Sequence, residues 1–188
     1  MSKEGALDQI TPQQLDIIDE IDPITEGKSA WNVKLILITW IGTLGIDFLW
    51  HGGLLKEIYN RPNPALLELE QAFIRIPFGY AALLIQVLFV YWLFSMIGVK
   101  EWEKGFRIGL IFGGLMGIAS VLGQYSILTL DLDILILWGL GQVFEFGAMG
   151  TILGTGISAT SLRSMTKRIM VLVIIAILFG IILQSEIH

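Results

Sequence analysis

Asp47 and His51 stand four residues apart in "GTLGIDFLWHGG" (42–53), a stretch otherwise apolar enough to lie in hydrocarbon. At helical spacing they share a face with Trp40 and Thr43. An ionised side chain at the centre of a bilayer costs about 2.5–3.5 kcal/mol on insertion scales, so such groups face a bundle interior and find a partner there. A carboxyl group beside an imidazole has two chemical uses in that setting: it passes a proton, or it holds a small polar ligand. Desolvation favours the protonated form of such an acid.

Uncommon polar residues recur on three further apolar stretches. Arg75, Gly79, Ala82 and Gln86 form one helical stripe, and Gln124 extends a stripe through Gly113, Gly117 and Ser120. Trp138, Gln142, Glu145 and Met149 form a third. Counted at about 1.5 Å per residue, all of these lie in the same half of their helices. The pattern predicts one cluster of Asp47, His51, Gln86, Gln124, Gln142 and Glu145, flanked by Trp40, Trp50, Arg75 and Trp138. Plainer roles remain open: Trp50 and His51 suit an interfacial aromatic belt, and Arg75 suits snorkelling to the headgroups.

The elements that must position these residues are membrane spans. The 188-residue chain is 54% hydrophobic, above a soluble protein of its size. Five stretches are long enough to cross a core of about 30 Å, at approximately 34–55, 76–98, 106–129, 134–159 and 169–185. The expected fold is therefore all-α: a polytopic integral membrane helical bundle of five transmembrane helices. A short amphipathic helix at 12–21 is expected from Thr11-Pro12-Gln13-Gln14, which has a capping Thr and Pro at the first helical position. An interfacial helix after the first span, or an extension of the second, follows from Asn63-Pro64 leading into "ALLELEQAFIRI", with Pro77 at the junction. The last span, "IMVLVIIAILFGIILQ", is almost purely aliphatic and reads as peripheral.

The net charge of -5 is supplied entirely by residues 1–30, which form an acidic tail ahead of a transmembrane domain at 31–188. An acidic start is unlike a signal peptide, whose first region is basic. Nine of the twelve Lys and Arg residues fall on the side of the tail and the loops near 99–105 and 160–168, while Lys56, Arg61 and Arg75 fall on the other. That asymmetry places the N-terminus in the cytoplasm and the C-terminus outside the cell membrane, so the polar cluster opens outward.

Gly105, Gly109, Gly113 and Gly117 recur every fourth residue in the third span, and Gly150 and Gly154 repeat the spacing in the fourth. Small residues on one face let backbones approach where lipid offers no hydrophobic drive. These stripes predict tight packing of spans three and four, within the chain or between copies.

The stretches "GIDFLWHGGLLKEIYN", "GLIFGGLMGIASVLGQYSILTL" and "LILWGLGQ" together resemble small uncharacterised prokaryotic four-helix integral membrane proteins. Their first span carries a Leu-Asp-x-x-Trp-like pattern followed by a Tyr a little further on, and a later Gly-rich span ends near a Tyr ahead of a Trp-Gly pair. The resemblance reaches from 35 to 155 at most, and the acid those proteins place just before the Trp-Gly pair is displaced here to Asp133. It implies a four-helix core with an added fifth helix and implies no activity.

Three functional readings are consistent with these features. The first is binding or transport of a small polar ligand or a proton. The second is a non-catalytic accessory or assembly subunit of a larger membrane complex, with the lipid bilayer and a homo-oligomer or complex as partners. A membrane enzyme is third: the chain has no Cys and one His within the spans, so neither a metal site nor a cofactor is expected, and haem would have to pair His51 with Met149 or a second copy's His. No basic patch or phosphate loop suggests nucleic-acid or nucleotide binding. The topology predicts that a single cysteine introduced at Ser2 is unreactive to an impermeant thiol reagent in intact cells and reacts after permeabilisation; labelling from outside would reverse the orientation.

Overall fold

A computed structural model describes residues 12–61 and 63–185 of the chain. The elements are α1 (Pro12–Asp47), a π-helical segment (Phe48–Leu54), α2 (Lys56–Tyr59), α3 (Leu69–Ile97), α4 (Trp102–Tyr125), α5 (Leu132–Gly156) and α6 (Leu162–Ser185). Five helices are long and apolar enough to cross a membrane: Gly27–Leu54, Glu70–Ile97, Trp102–Tyr125, Leu132–Gly156 and Leu162–Ser185. The protein is an all-α bundle. It divides into two units, Met1–Lys34 and Leu35–His188. In the first, the chain is helical from the first described residue, Pro12, and runs on without a separate short helix ending near 21; the expected Thr11 cap lies outside the described residues. The side chains of Leu15, Ile18 and Ile21, expected to make that helix amphipathic, and Ser2 lie outside the described residues. The second unit holds the rest of the first span and every later helix.

Two boundaries in the second unit differ from the sequence expectation. Asn63 accepts a hydrogen bond from the Ala65 N–H (2.9 Å), but this closes a turn, and the helix starts at Leu69 and continues into the second span with Pro77 inside it. Of the two alternatives for the amphipathic segment, the part from Leu69 onward follows the second, an extension of the second span, and forms no separate interfacial helix. The first span also stops being α-helical at Asp47: Phe48–Leu54 widens to π geometry, with the Leu55 N–H bonded five residues back to the Trp50 carbonyl at 3.0 Å. Single-turn π segments inside longer helices are uncommon and concentrate at functional sites. α3 ends at Gly98, whose φ of 69° is left-handed, with the Val99 N–H returning to the Phe94 carbonyl at 3.0 Å.

α4 and α5 are antiparallel and in backbone contact. Gly105 faces Gly150 and Gly154, Gly109 faces Phe146 and Gly147, and further along Gly117 faces Gly139. A Cβ on Gly113 would stand 2.8 Å from the Gln142 carbonyl oxygen and 2.9 Å from the Val143 Cα. No Cβ fits at those separations, so the glycines are the geometric condition for this contact. The first span lies against the other side of α5, also antiparallel, with Leu35 near Gly156 and Trp50 near Gly141. α6 runs parallel to the first span: Gly45 meets Val173 and Gly53 meets Gly180. α5 is consequently the central helix, 44% buried over its apolar window against 17% for α6, whose outer side chains such as Leu172 are exposed.

Gly113→Leu places a branched side chain against α5 backbone, which has no rotamer with which to yield. We expect destabilisation of at least about 1–3 kcal/mol, as for overpacked cores, read as a lowered unfolding midpoint in mild detergent. Unchanged stability would mean that the α4–α5 contact is not present in the membrane protein.

Candidate functional site

Asp47 closes α1, His51 lies within the π-helical segment, and Glu145 lies on α5 facing them. His51 Nε2 is 3.9 Å from Asp47 Oδ1 and 3.9 Å from Glu145 Oε1. One ligand-type atom from each residue falls within 4.8 Å of the other two. The side chain of Glu145 is only 6% exposed, while those of Asp47 and His51 are 23% and 29% exposed, so the group is closed on the α5 side and open on the other.

The two carboxyl groups are poorly compensated. The Asp47 and Glu145 carboxyl groups are side-chain hydrogen-bond partners of each other, which requires a proton between them, and among the described residues no Lys or Arg pairs with either. The cations of the following loop are engaged elsewhere. Arg61 makes an exposed 3.3 Å ion pair with Asp133, and Lys56 donates to the Gln184 carbonyl. Burying two carboxyl groups together without a Lys or Arg to balance them is unfavourable, and this shortage of positive charge is the site's main chemical property.

His51 is oriented from behind. Its Nδ1 shares a 2.6 Å hydrogen bond with Tyr59 Oη, and Trp138 Nε1–H donates to the same oxygen at 2.6 Å. An indole N–H only donates, so Tyr59 accepts from Trp138. The remaining Tyr59–His51 bond has two complementary forms. Either the phenol donates to Nδ1 and the ring proton sits on Nε2, or Nδ1–H donates to the phenol and the Nε2 lone pair faces the carboxyl groups. Burial pushes the Tyr59 phenol up to about 12, with the Trp138 N–H pulling the other way, so it is neutral at physiological pH.

Local packing holds this relay in place. Ile58 of α2 lies on a core of Leu130, Ile134 and Leu135 at the start of α5, together with Trp138, and so carries Tyr59 over His51. Trp50 donates to the Leu137 carbonyl at 3.0 Å and stacks at a tilt on Phe144, 5.0 Å between ring centres. Gln184 of α6 donates to the Gly52 carbonyl at 2.7 Å, satisfying an acceptor in the π-helical turn.

Of the six residues expected to converge, the structure joins Asp47, His51 and Glu145. Gln124 instead donates to Ser120 on its own helix at 2.8 Å. Gln142 is half-buried where its backbone carbonyl meets Gly113, and Gln86 buries an Oε1 that has no hydrogen-bond partner among the described residues. Arg75, expected to flank the cluster, is exposed on α3. Trp40 donates to the Tyr80 carbonyl at 2.9 Å, tying the first span to α3, and Thr43 is satisfied within its own helix by the Thr39 carbonyl at 2.9 Å. Equal depth on a helix does not make equal azimuth: side chains at one level of a bundle still point in different directions. Tyr59 is the participant that sequence spacing does not reveal. Its signal is a phenol in the loop after a span carrying an unpaired His, since buried Tyr and Trp polar atoms seek partners.

The three ligand atoms make a metal-capable set, which a count of histidines alone does not suggest because the spans hold only one. No family model, curated protein or solved structure matches the chain.

Removing the phenol oxygen leaves both the Trp138 N–H and His51 Nδ1 without their partner, at a cost of about 1–3 kcal/mol. Tyr59→Phe should therefore be destabilising, and a cycle with Trp138→Phe should show coupling of about 0.5–3 kcal/mol. Additive effects in detergent unfolding would separate the two residues.

Proposed function

We propose that this protein is a membrane-embedded binding protein for a small cationic or polar ligand, held between the first span and α5. The observation that carries this reading is Glu145, a carboxyl group almost fully buried on a membrane-crossing helix, opposite Asp47 and with no Lys or Arg partner among the described residues. Two acids and one imidazole in a shared site have an excess of acceptors over donors, and a ligand bearing positive charge or N–H and O–H donors supplies what is missing. The open side, where Asp47 and His51 are partly exposed, gives that ligand access.

In this reading the protein is a multi-pass protein of the cell membrane with its N-terminus in the cytoplasm, in keeping with the nine-to-three distribution of basic residues. The end of the bundle carrying Leu54, Leu132 and Ser185 then faces outward, and the site receives its ligand from the extracytoplasmic side.

A ligand that binds only the folded state raises stability, by about 2.7 kcal/mol at a hundred times its dissociation constant. Thermal unfolding of the full chain in mild detergent should therefore be shifted upward by at least one of sodium, ammonium, guanidinium, magnesium or zinc ions. The shift should vanish in Glu145→Gln, which keeps the shape and removes the charge. A panel with no stabilising member, or equal stabilisation of wild type and Glu145→Gln, would overturn the reading.

A further inference from the structure

We infer that Asp47, His51 and Glu145 form a site for one divalent first-row transition-metal ion, bound by His51 Nε2 and one oxygen of each acid. This inference rests on the cation-binding reading above and names the cation. Four observations lead to it independently of one another.

The first is geometric. The Nε2 to oxygen separations of 3.9 Å are too long for hydrogen bonds, which lie at about 2.7–3.2 Å. They leave a gap at the centre of a triangle whose corners are all ligand atoms within 4.8 Å. An ion with bonds of about 2.0–2.2 Å fills that gap after the three groups draw in by roughly a few tenths of an ångström.

The second is charge. Two carboxylates, a neutral imidazole and a divalent ion sum to zero, the state least penalised by a low-dielectric surrounding, whereas a monovalent ion leaves one uncompensated negative charge. Glu145 is the group that needs this most: its side chain is only 6% exposed, and its side-chain neighbours are the Asp47 carboxyl, which it meets in a hydrogen bond, and His51, with no Lys or Arg among the described residues.

The third is ligand type. Imidazole nitrogen with carboxylate oxygen suits Zn2+, Mn2+, Fe2+ or Co2+, and the absence of Cys removes the soft ligands that select Cu+. Three protein ligands on a partly open site leave coordination positions for water or a further ligand.

The fourth is the backing of the histidine. A metal-bound imidazole donates its other ring N–H to an acceptor that fixes the ring and its tautomer. Tyr59 Oη stands 2.6 Å from Nδ1, and Trp138 holds it there. The tautomer with Nδ1–H toward Tyr59 points the Nε2 lone pair into the triangle. Tyr59 is thus a positioning residue for the ion.

Full-length protein, treated with a chelator in mild detergent and then titrated with Co2+, should develop a visible ligand-field absorption that saturates at one ion per chain and is displaced by Zn2+. The band should be lost in Glu145→Gln. In Tyr59→Phe, Zn2+ affinity measured by calorimetry should fall about 10–100-fold, the range for loss of an outer partner of a metal-bound His. If Glu145→Gln does not fold, His51→Gln serves in its place with the same expected loss. Absence of a Co2+ band would overturn the inference. So would a band that survives both substitutions, which would assign the ion to the acidic residues before 30 or to His188. Stabilisation by sodium, ammonium or guanidinium without any Co2+ band would overturn the metal assignment while the broader cation-site reading stood; failure of every cation would remove both.

Discussion

Inside a bilayer, lipid chains are as apolar as leucine, so helices associate only where their surfaces fit closely enough for dispersion contacts and polar groups to matter. In this bundle that condition is met along α5. Its glycines Gly139, Gly147, Gly150 and Gly154 meet α4, several of them opposite glycines of that helix, while Gly141 and Gly156 admit Trp50 and Leu35 of the first span. A helix so enclosed on two sides becomes the interior of the structure. Phe146, Met149 and Leu153 are almost fully buried on it, and so is Glu145. The burial of the one carboxyl group that most needs a partner is thus a consequence of backbone proximity between three helices.

Once α5 is central, the rest of the site depends on the groups that the first span can bring to it. The change from α to π geometry after Asp47 alters the direction of Trp50 and His51, so that the indole packs over Gly141 while the imidazole is left between two acids. The wider turn is supported from α6, where Gln184 meets the Gly52 carbonyl and Gly180 lets Phe48 and Gly53 come close. Each of these contacts is made by a residue with no chemistry of its own to perform.

The connection between the first two long helices has a similar part. It is long for a bundle loop and places Ile58 against the start of α5, which brings a phenol into line with His51 and Trp138. The exposed Arg61–Asp133 pair at the same place contributes little stability, since exposed ion pairs are worth about 0–1 kcal/mol. Apolar packing and the two hydrogen bonds to Tyr59 hold the loop.

The sequence by itself determined the class of the fold and the number of its long helices, because hydrocarbon admits only long apolar segments with internally satisfied backbone, a linear property of the chain. It also marked Asp47, His51 and Glu145 as unusual, and the glycine periodicity of α4 as a contact face, because helical period is itself a sequence quantity. Azimuth it left undetermined. Gln124 and Arg75 have the right depth and the wrong direction, and nothing in their spacing tells Gln124 that Ser120 is its partner. Tertiary structure alone decided three further things: that the α-helix gives way to a π turn at Phe48, that the amphipathic segment joins α3, and that Tyr59 reaches back over His51. Each depends on which side of α5 was already occupied by another helix, and that occupation is set by contacts between residues far apart in the chain.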